Sequence, residues 1–227
     1  MISAVEPLRC EGLTCSRATW REGQPSKVSD FSCGFRDGEL CGVVGPDGCG
    51  KGLLLNMVGL LERPDAGDIF ADGWQATGRS GEEIIECRNR FFGFLFSRPT
   101  LLPGFTVAEN VAMPLFRICG VEAGPARRRT MEVLEFCGVG EFCSQLADRI
   151  PEEAQDLAAL ARALVHQPRV LIAISPKRPE GLLPIARRAA EEFGLCVIWG
   201  GEVATVGPFA HRVVEIAGGR MVSDQTR

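Results

Sequence analysis

Four uninterrupted apolar runs are typical of strands that are buried on both faces of a parallel sheet. They lie at 40–44, 91–96, 170–174 and 195–199. Residues 8–35 alternate irregularly between apolar and polar positions and contain turn signals, which predicts short antiparallel strands that lead into the first run. The remaining predicted strands are one at 69–71 and a final hairpin with strands at 212–217 and 220–223.

Helical periodicity fills much of the chain between these runs. Thr106 is predicted to cap a helix that extends to about Ile118, because Glu109 three residues later completes a capping box. Further helices are predicted at 123–137, 153–165 and 183–193. Strands that alternate with helices predict an α/β domain with a mostly parallel core sheet. The helical stretch 106–166 is longer than a simple crossover requires, so it predicts an inserted helical subdomain.

Composition and charge narrow the class of protein. The chain has 227 residues and a net charge of −4, which gives no indication of a nucleic-acid partner. No apolar run approaches the ~20 residues of a transmembrane helix, and the first residues lack the features of a signal peptide. The ten cysteines include no C-x-x-C pair. We therefore expect reduced, mostly buried thiols in a cytosolic protein.

A glycine-rich stretch, GPDGCGKGL, occupies Gly45–Leu53 between a predicted strand and a predicted helix. In that setting, glycines let successive N–H groups point at an anion, and the positive end of the helix dipole adds to the field. Lys51 is expected to reach the outer phosphates. The pattern G-x-x-x-x-G-K-[ST] is met except at its last position, where Gly52 replaces the hydroxyl residue. The stretch therefore predicts a phosphate-binding loop that lacks one metal ligand.

Four collinear stretches resemble the ATP-binding subunits of ABC transporters, specifically the lipoprotein-releasing and macrolide-exporter type. They are GPDGCGKGLLLNMVGLLERPDAGDI, LLPGFTVAENVAMPL, ARALVHQPRVLIA and AHRVVEIAGGRMV. The resemblance implies a P-loop NTPase fold of the ABC ATPase type, with a mixed sheet, an antiparallel N-terminal part and an inserted helical subdomain. It implies one nucleotide-binding domain over 1–227. The RecA-like core with its β-subdomain is expected at about 1–98 and 167–227, and the helical subdomain at about 99–166.

The same resemblance implies how nucleotide is held. Two such domains pair head to tail, and each ATP lies between the phosphate loop of one chain and the signature motif of the other. Trp20 is expected either to stack on the base or to be a half-buried residue of a sheet. The residues implied to bind nucleotide are Gly45, Pro46, Asp47, Gly48, Cys49, Gly50, Lys51, Gly52, Leu53 and Trp20.

Most of the groups that run hydrolysis in this family are replaced. Gly52 occupies the position of the metal-binding hydroxyl residue, Ser97 that of the glutamine and Ile174 that of the aspartate. Ser175 occupies the position of the catalytic glutamate, and Gly201 or Glu202 that of the switch histidine. Glu152 and Glu153 occupy the positions of the signature glycines. A positioned general base contributes roughly 10²- to 10⁴-fold to a rate, and a serine does not replace a carboxylate at neutral pH. No catalytic and no metal-binding residue is therefore assigned.

We accordingly predict a non-hydrolysing pseudo-ATPase that binds ATP weakly or not at all, has few ligands for Mg²⁺ and scaffolds a membrane-associated complex. Its expected partners are an ABC transporter membrane subunit and a second ATP-binding subunit, in a homodimer or in a heterodimer with an intact chain. The expected location is cytoplasmic, peripheral at the inner face of the cell membrane.

Two alternatives remain open. One is an active ABC ATPase that powers transport with displaced groups, for which the candidates are Glu152, Glu153, Glu180 and Glu202. The other is a soluble nucleotide or redox regulator that acts through Cys49, because a position at a helix N-terminus beside a lysine favours the thiolate.

Overall fold

A computed structural model of the chain describes residues 6–17 and 26–227. The strands are β1 Leu8–Arg17, β2 Ser26–Phe35, β3 Leu40–Val44, β4 Ala66–Ala71, β5 Trp74–Gln75, β6 Phe92–Leu95, β7 Val170–Ala173, β8 Cys196–Gly201, β9 Arg212–Ala217 and β10 Arg220–Thr226. The helices are α1 Lys51–Val58, α2 Gly81–Phe91, α3 Val107–Arg117, α4 Ala123–Phe136, α5 Glu152–Leu164, α6 Leu183–Phe193 and α7 Val203–Val206. A 3-10 turn covers Gly140–Phe142.

The central sheet has six strands in the order β10-β9-β3-β8-β7-β6. Its neighbours are parallel except for β9 and β10, which form the predicted hairpin. Because side chains alternate between the two faces of a strand, Val170 and Ile172 join one hydrophobic core, and Leu171 and Ala173 join the other. The runs at 40–44, 170–174 and 195–199 are buried on both faces as predicted, apart from the half-buried Ile174. The run at 91–96 is only partly buried, because β6 is an edge strand and Phe96 is 39% exposed.

A second sheet is antiparallel and has the order β2-β1-β4-β5. The expectation of short strands in 8–35 is wrong, because β1 and β2 are ten residues long each. The register between them shifts on both sides of Leu13, and Asp30 has a positive φ of 52°. Such bulges break the alternation of apolar and polar positions without ending the strands, and this explains why the sequence pattern looked interrupted.

Three helices, α3, α4 and α5, lie between β6 and β7 in the chain and pack on the core that α6 also covers. The predicted capping box of α3 is present, since the Glu109 amide donates to Thr106 Oγ1 at 3.2 Å and the Thr106 amide donates to Glu109 Oε2 at 2.7 Å. The α/β class, the mixed sheet and the inserted helices agree with the prediction. The predicted helix boundaries differ from the observed ones by about one residue, and β7 ends at Ala173. β4 begins three residues earlier than predicted, at Ala66, and β10 ends three residues later, at Thr226.

No helix within 6–17 and 26–227 combines the length and hydropathy needed to cross a membrane. All ten cysteines lie in the described part of the chain and are free thiols. Seven are buried, namely Cys10, Cys15, Cys33, Cys41, Cys49, Cys137 and Cys196. The expectation of reduced and mostly buried cysteines is met.

Candidate functional site

The glycine-rich loop joins β3 to α1 and needs glycine at two of its positions. Gly45 and Gly50 have φ values of 155° and 100°, and Gly50 is the N-cap of α1. A Cβ on Gly45 would lie 2.3 Å from the carbonyl oxygen of Ile216, and a Cβ on Gly50 would lie 2.2 Å from that of Lys27. Neighbouring backbone therefore fixes the loop's path, and the loop brings its N–H groups to the amino end of α1.

Lys51 is folded back onto this loop. Its Nζ donates to the carbonyl oxygens of Gly45 at 3.0 Å and Pro46 at 3.1 Å, and it lies 3.3 Å from Oδ1 of Asp47. An ammonium group has three donors, so all three are engaged within the loop. A bound phosphate has to displace these acceptors, including the negative charge of Asp47. The expected ligand of the outer phosphates is thus present but occupied.

The donors that Mg²⁺ needs are missing from the positions expected to supply them. Magnesium binds oxygen ligands such as carboxylates and phosphates. Gly52 has no side chain, Ile174 is a half-buried hydrocarbon and Ser97 is an exposed residue. Among the described residues, no group of three or more His, Cys, Asp or Glu side chains is arranged to hold a metal ion. The residues present do not fit Mg²⁺.

A cavity of about 260 Å³ opens beside Lys51, at the carboxyl ends of β7 and β8. Ser175, Lys177, Glu180 and Glu202 also line it. Ser175 has a positive φ of 46°, a conformation that is uncommon for a residue with a side chain. Glu180 and Glu202, two of the four candidates for displaced catalytic groups, therefore lie close to the loop.

The other two carboxylates are directed elsewhere. Glu152 and Glu153 form the exposed first turn of α5. Arg178, on the loop after β7, donates to the Glu152 carboxylate, and its Nε lies 2.5 Å from Oδ2 of Asp156. The hydrogen bond to Asp156 raises the pKa of the Arg178 guanidinium. The amino end of α5 is therefore held by an ion pair within the same chain.

The structure opposes one predicted role, that of Cys49 as a redox sensor, and does not test the role of Trp20. Cys49 is 4% exposed and packs against Gly45, so the thiol is not accessible as a redox sensor requires. Trp20 lies outside the described residues. The remaining residues predicted to bind nucleotide, from Gly45 to Leu53, are contiguous in the loop and the first turn of α1.

From the family resemblance, the surface that receives a membrane subunit was expected near the loop around 101–103, but the sequence did not predict the apolar groove of about 1020 Å³ between α3 and α4. Leu102, Phe105 and Phe116 line it and are 40%, 44% and 49% exposed. Arg117 and Arg127 also line the groove, and neither is hydrogen-bonded or ion-paired to another described residue. The available signal was the apolar loop around 101–103, which leads into this surface.

The fully buried Asn110 shapes one wall of this groove. Its Oδ1 accepts from the Leu102 amide at 2.7 Å, and its Nδ2 donates to the carbonyl oxygens of Leu102 and Thr106, both at 3.0 Å. These bonds hold the loop before α3 in a compact turn, with Leu102 and Phe105 in the groove. The turn that carries Leu102 and Phe105 is thus held by hydrogen bonds to a fully buried side chain.

Comparison with known proteins agrees with this architecture. The family model described as ABC transporter matches residues 28–176. The chain is 39% identical over 169 residues to the lipoprotein-releasing system ATP-binding protein LolD of Bacteroides thetaiotaomicron, covering 74% of this chain and 75% of that protein. It is 33% identical over 211 residues to the macrolide export ATP-binding/permease protein MacB 1/2 of Paracoccus denitrificans, covering 90% of this chain but only 31% of that protein.

A solved structure extends the agreement to the fold. The dimeric structure of MJ0796, described as a bacterial ABC transporter cassette, superposes with a TM-score of 0.83 at 23% identity and covers 96% of this chain and 98% of that chain. The family model spans more than half of the sequence, and the LolD match covers about three quarters of it. The chain therefore belongs to the ABC transporter family, as one of its ATP-binding subunits of the LolD and MacB type.

Proposed function

We propose that this subunit has lost ATP hydrolysis and that it acts as a structural component of a transporter complex. The observation that carries the proposal is the end of β7, where the chain continues with Ile174 and Ser175 instead of two carboxylates. Catalysis of phosphoryl transfer is largely positioning and electrostatic stabilisation, with metal ions that neutralise charge on the phosphates. A site that supplies neither a metal ligand nor a general base at this strand end lacks both contributions.

Nucleotide binding is proposed to persist only weakly. The loop amides and Lys51 favour a polyphosphate, since the amino end of a helix attracts anions. The Asp47 carboxylate beside Lys51 opposes it, and in the adjoining cavity the two carboxylates of Glu180 and Glu202 outnumber the one ammonium group of Lys177. We expect ATP to bind to the isolated protein weakly, and Mg²⁺ to add little to the affinity.

The proposed setting is the cytoplasmic face of a membrane, where the chain pairs with a membrane subunit and with a second ATP-binding subunit, either another copy or an intact relative. The domain division predicted from the sequence is part of this proposal, and α3–α5 fall within its helical portion at about 99–166. The exposed Glu152 and Glu153 at the start of α5 are expected to weaken the partner's nucleotide site.

The hydrolysis claim is tested by phosphate release from MgATP, measured for the purified protein and for Lys51→Ala. We expect both proteins to release phosphate at the same background rate. A turnover that Lys51→Ala abolishes would show a working ATPase and would contradict the proposal. Calorimetry with ATP, with and without Mg²⁺, measures the binding that remains.

The proposed docking surface is the groove between α3 and α4. We propose that its occupant is an amphipathic helix of the membrane subunit, with an apolar face for Leu102, Phe105 and Phe116. Arg117 and Arg127 line the same groove without a described partner, so an acidic flank on that helix gives complementary charge.

A defined probe tests this surface. A stapled 18-residue peptide with leucines on one face and glutamates on its flanks is compared with a counterpart whose flanks carry lysines. We expect Phe105→Ala and Phe116→Ala to weaken the acidic peptide about 10-fold or more, because burial of an aromatic side chain contributes about 1.5–3 kcal/mol and 1.4 kcal/mol is tenfold. Phe193→Ala is the control, because Phe193 is 52% exposed and does not line the groove. Equal affinity for the two peptides, or no effect of the groove variants, would contradict the docking proposal.

One observation favours a second candidate, an ATPase with a displaced base. Glu180 and Glu202 line the cavity that also contains Lys51. If phosphate release depends on Lys51, Glu180→Gln and Glu202→Gln identify the base, since a general base contributes roughly 10²- to 10⁴-fold.

A further inference from the structure

Lys177 lies beside the positions at which two expected metal ligands are replaced. Its backbone N–H donates to the carbonyl oxygen of Ser97 at 3.3 Å, so the loop after β7 runs next to the loop after β6. Ser97 and Ile174 occupy the positions where the family resemblance predicts a glutamine and an aspartate. A cationic residue is therefore adjacent to the end of the sheet that has lost these two ligands for Mg²⁺.

The ammonium group of Lys177 is available to a ligand. Lys177 is exposed and lines the cavity of about 260 Å³ that Lys51 also lines. Lys51 is engaged by the loop carbonyls and by Asp47, whereas Lys177 forms no ion pair with another described residue. The adjacent Arg178, by contrast, is paired with Glu152. Of the two lysines in the cavity, Lys177 is thus the one whose charge is not compensated within the described part of the chain.

The backbone on both sides of Lys177 is restricted. Pro176 and Pro179 line the same cavity, and the ring of each proline fixes its φ angle. Ser175, two residues after the end of β7, has a positive φ of 46°. Because the backbone has little freedom here, less conformational entropy is lost when the Lys177 ammonium binds an anion.

We infer that Lys177 takes the place of Mg²⁺ in the residual nucleotide site, so that this site binds metal-free ATP more tightly than MgATP. The inference rests on the proposed weak nucleotide binding and adds the binding residue and the form of the nucleotide. An ammonium group offers three donors to phosphate oxygens and needs no further ligand from the protein. Mg²⁺ requires near-octahedral coordination by oxygen, which the residues at this end of the sheet do not supply.

Charge explains why the metal should weaken binding. A divalent ion on the phosphates cancels part of their negative charge and brings a like charge towards Lys177. Glu180 and Glu202 line the same cavity and are the carboxylates nearest in kind to metal ligands. Among the described residues, however, no group of three or more acidic, histidine or cysteine side chains is arranged to hold an ion. The metal therefore gains little from the protein, whereas the free phosphates gain the contact with Lys177.

The test is calorimetric titration of the full chain with ATP, in EDTA and in excess MgCl₂, at matched ionic strength because salt screens exposed charges. We expect the unmodified protein to bind ATP in EDTA about 3- to 10-fold more tightly than MgATP, since a charge-assisted hydrogen bond is strong but partly screened at an exposed site. Lys177→Gln should abolish this difference by weakening only the metal-free binding. Arg128→Gln is the matched control, because it removes one exposed positive charge on α4 outside the cavity and should leave both affinities unchanged.

Two further variants separate the effect of charge from that of shape. Lys177→Arg keeps the charge and should retain the preference for metal-free ATP. Glu202→Gln removes a repelling carboxylate and should tighten the binding of metal-free ATP. The inference is overturned by tighter binding of MgATP than of free ATP, by the absence of binding in EDTA, or by an equal loss for Lys177→Gln in EDTA and in MgCl₂. None of these results touches the proposed loss of hydrolysis, which fails only if phosphate release depends on Lys51.

Discussion

The guanidinium Nε of Arg178 donates to Oδ2 of Asp156 at 2.5 Å and ties the loop after β7 to the first turns of α5. The same guanidinium donates to the carboxylate of Glu152, which stands where the family resemblance predicts a signature glycine. Glu152 is thus part of an ion pair within the chain. Because Asp156 is buried, loss of Arg178 would leave a buried carboxylate without its ion-pair partner.

We predict that Arg178→Ala and Asp156→Asn each lower the melting temperature by about 2–4 °C for a chain of this size. The double variant should lose less than the sum of the two single changes, because both remove the same contact. Thermal unfolding at low and high salt provides the measurement. Strict additivity would mean that the two side chains do not interact in solution.

Glycine should be dispensable at Gly52 and required at Gly50. Apart from its chain neighbours and the nearby backbone of α1, no atom of the described residues lies within 4 Å of a Cβ on Gly52. Gly52→Ala should therefore raise the free energy of unfolding by about 0.5–1 kcal/mol. Gly50 has a φ of 100°, and its Cβ would clash with the Lys27 carbonyl, so Gly50→Ala should lower stability by more than 1 kcal/mol. Denaturant unfolding compares the two, and a reversed order would contradict the loop geometry.

Ile174 tests whether loss of the strand-end carboxylate stabilised the chain. Its side chain is half-buried and packs against the core on the α1 side of the sheet. We expect Ile174→Asp to lower the free energy of unfolding by about 1–2 kcal/mol, part of the 1.5–3 kcal/mol for full burial of such a side chain. Ile174→Val is the matched control and should cost less. An unchanged or raised melting temperature for Ile174→Asp would show that the side chain is not packed in solution.

His166 should make stability depend on pH. Burial lowers its pKa from the ordinary value of 6.5, although a hydrogen bond with the Phe92 carbonyl oxygen works in the opposite direction. The unfolded chain therefore takes up the proton near pH 6.5 and the folded chain only at lower pH. The free energy of unfolding should fall as pH is lowered from 6.5 through the folded pKa, by up to about 1.4 kcal/mol per unit of difference.

Denaturant unfolding between pH 7.5 and 5 measures this slope. His166→Gln removes the titrating group and should flatten the curve below pH 6.5, even if the variant is less stable throughout. The same slope in both proteins would assign the pH dependence to other groups.

The sequence predicted those helices and strands that depend on residues close together in the chain. The Thr106–Glu109 capping box placed the start of α3, and the apolar run at 170–174 placed β7, because both depend on residues that are close in the chain. The strands in 8–35 were underestimated because Leu13 and Asp30 lie at bulges that only the pairing of β1 with β2 makes tolerable. In the candidate site, the sequence predicted the phosphate-binding loop from Gly45 to Lys51, but it did not predict that the Lys51 ammonium group contacts the Asp47 carboxylate.

By itself, the sequence determined the order of the elements, the phosphate loop and the absence of carboxylates after β7, since these depend on residue type and spacing. Only the tertiary structure decided that Arg178 meets Asp156, that Glu180 and Glu202 share a cavity with Lys51, and that Leu102, Phe105 and Phe116 line one groove between α3 and α4. The physical reason is that these relationships join side chains far apart in the chain, and packing of the helices on the sheet sets their distances.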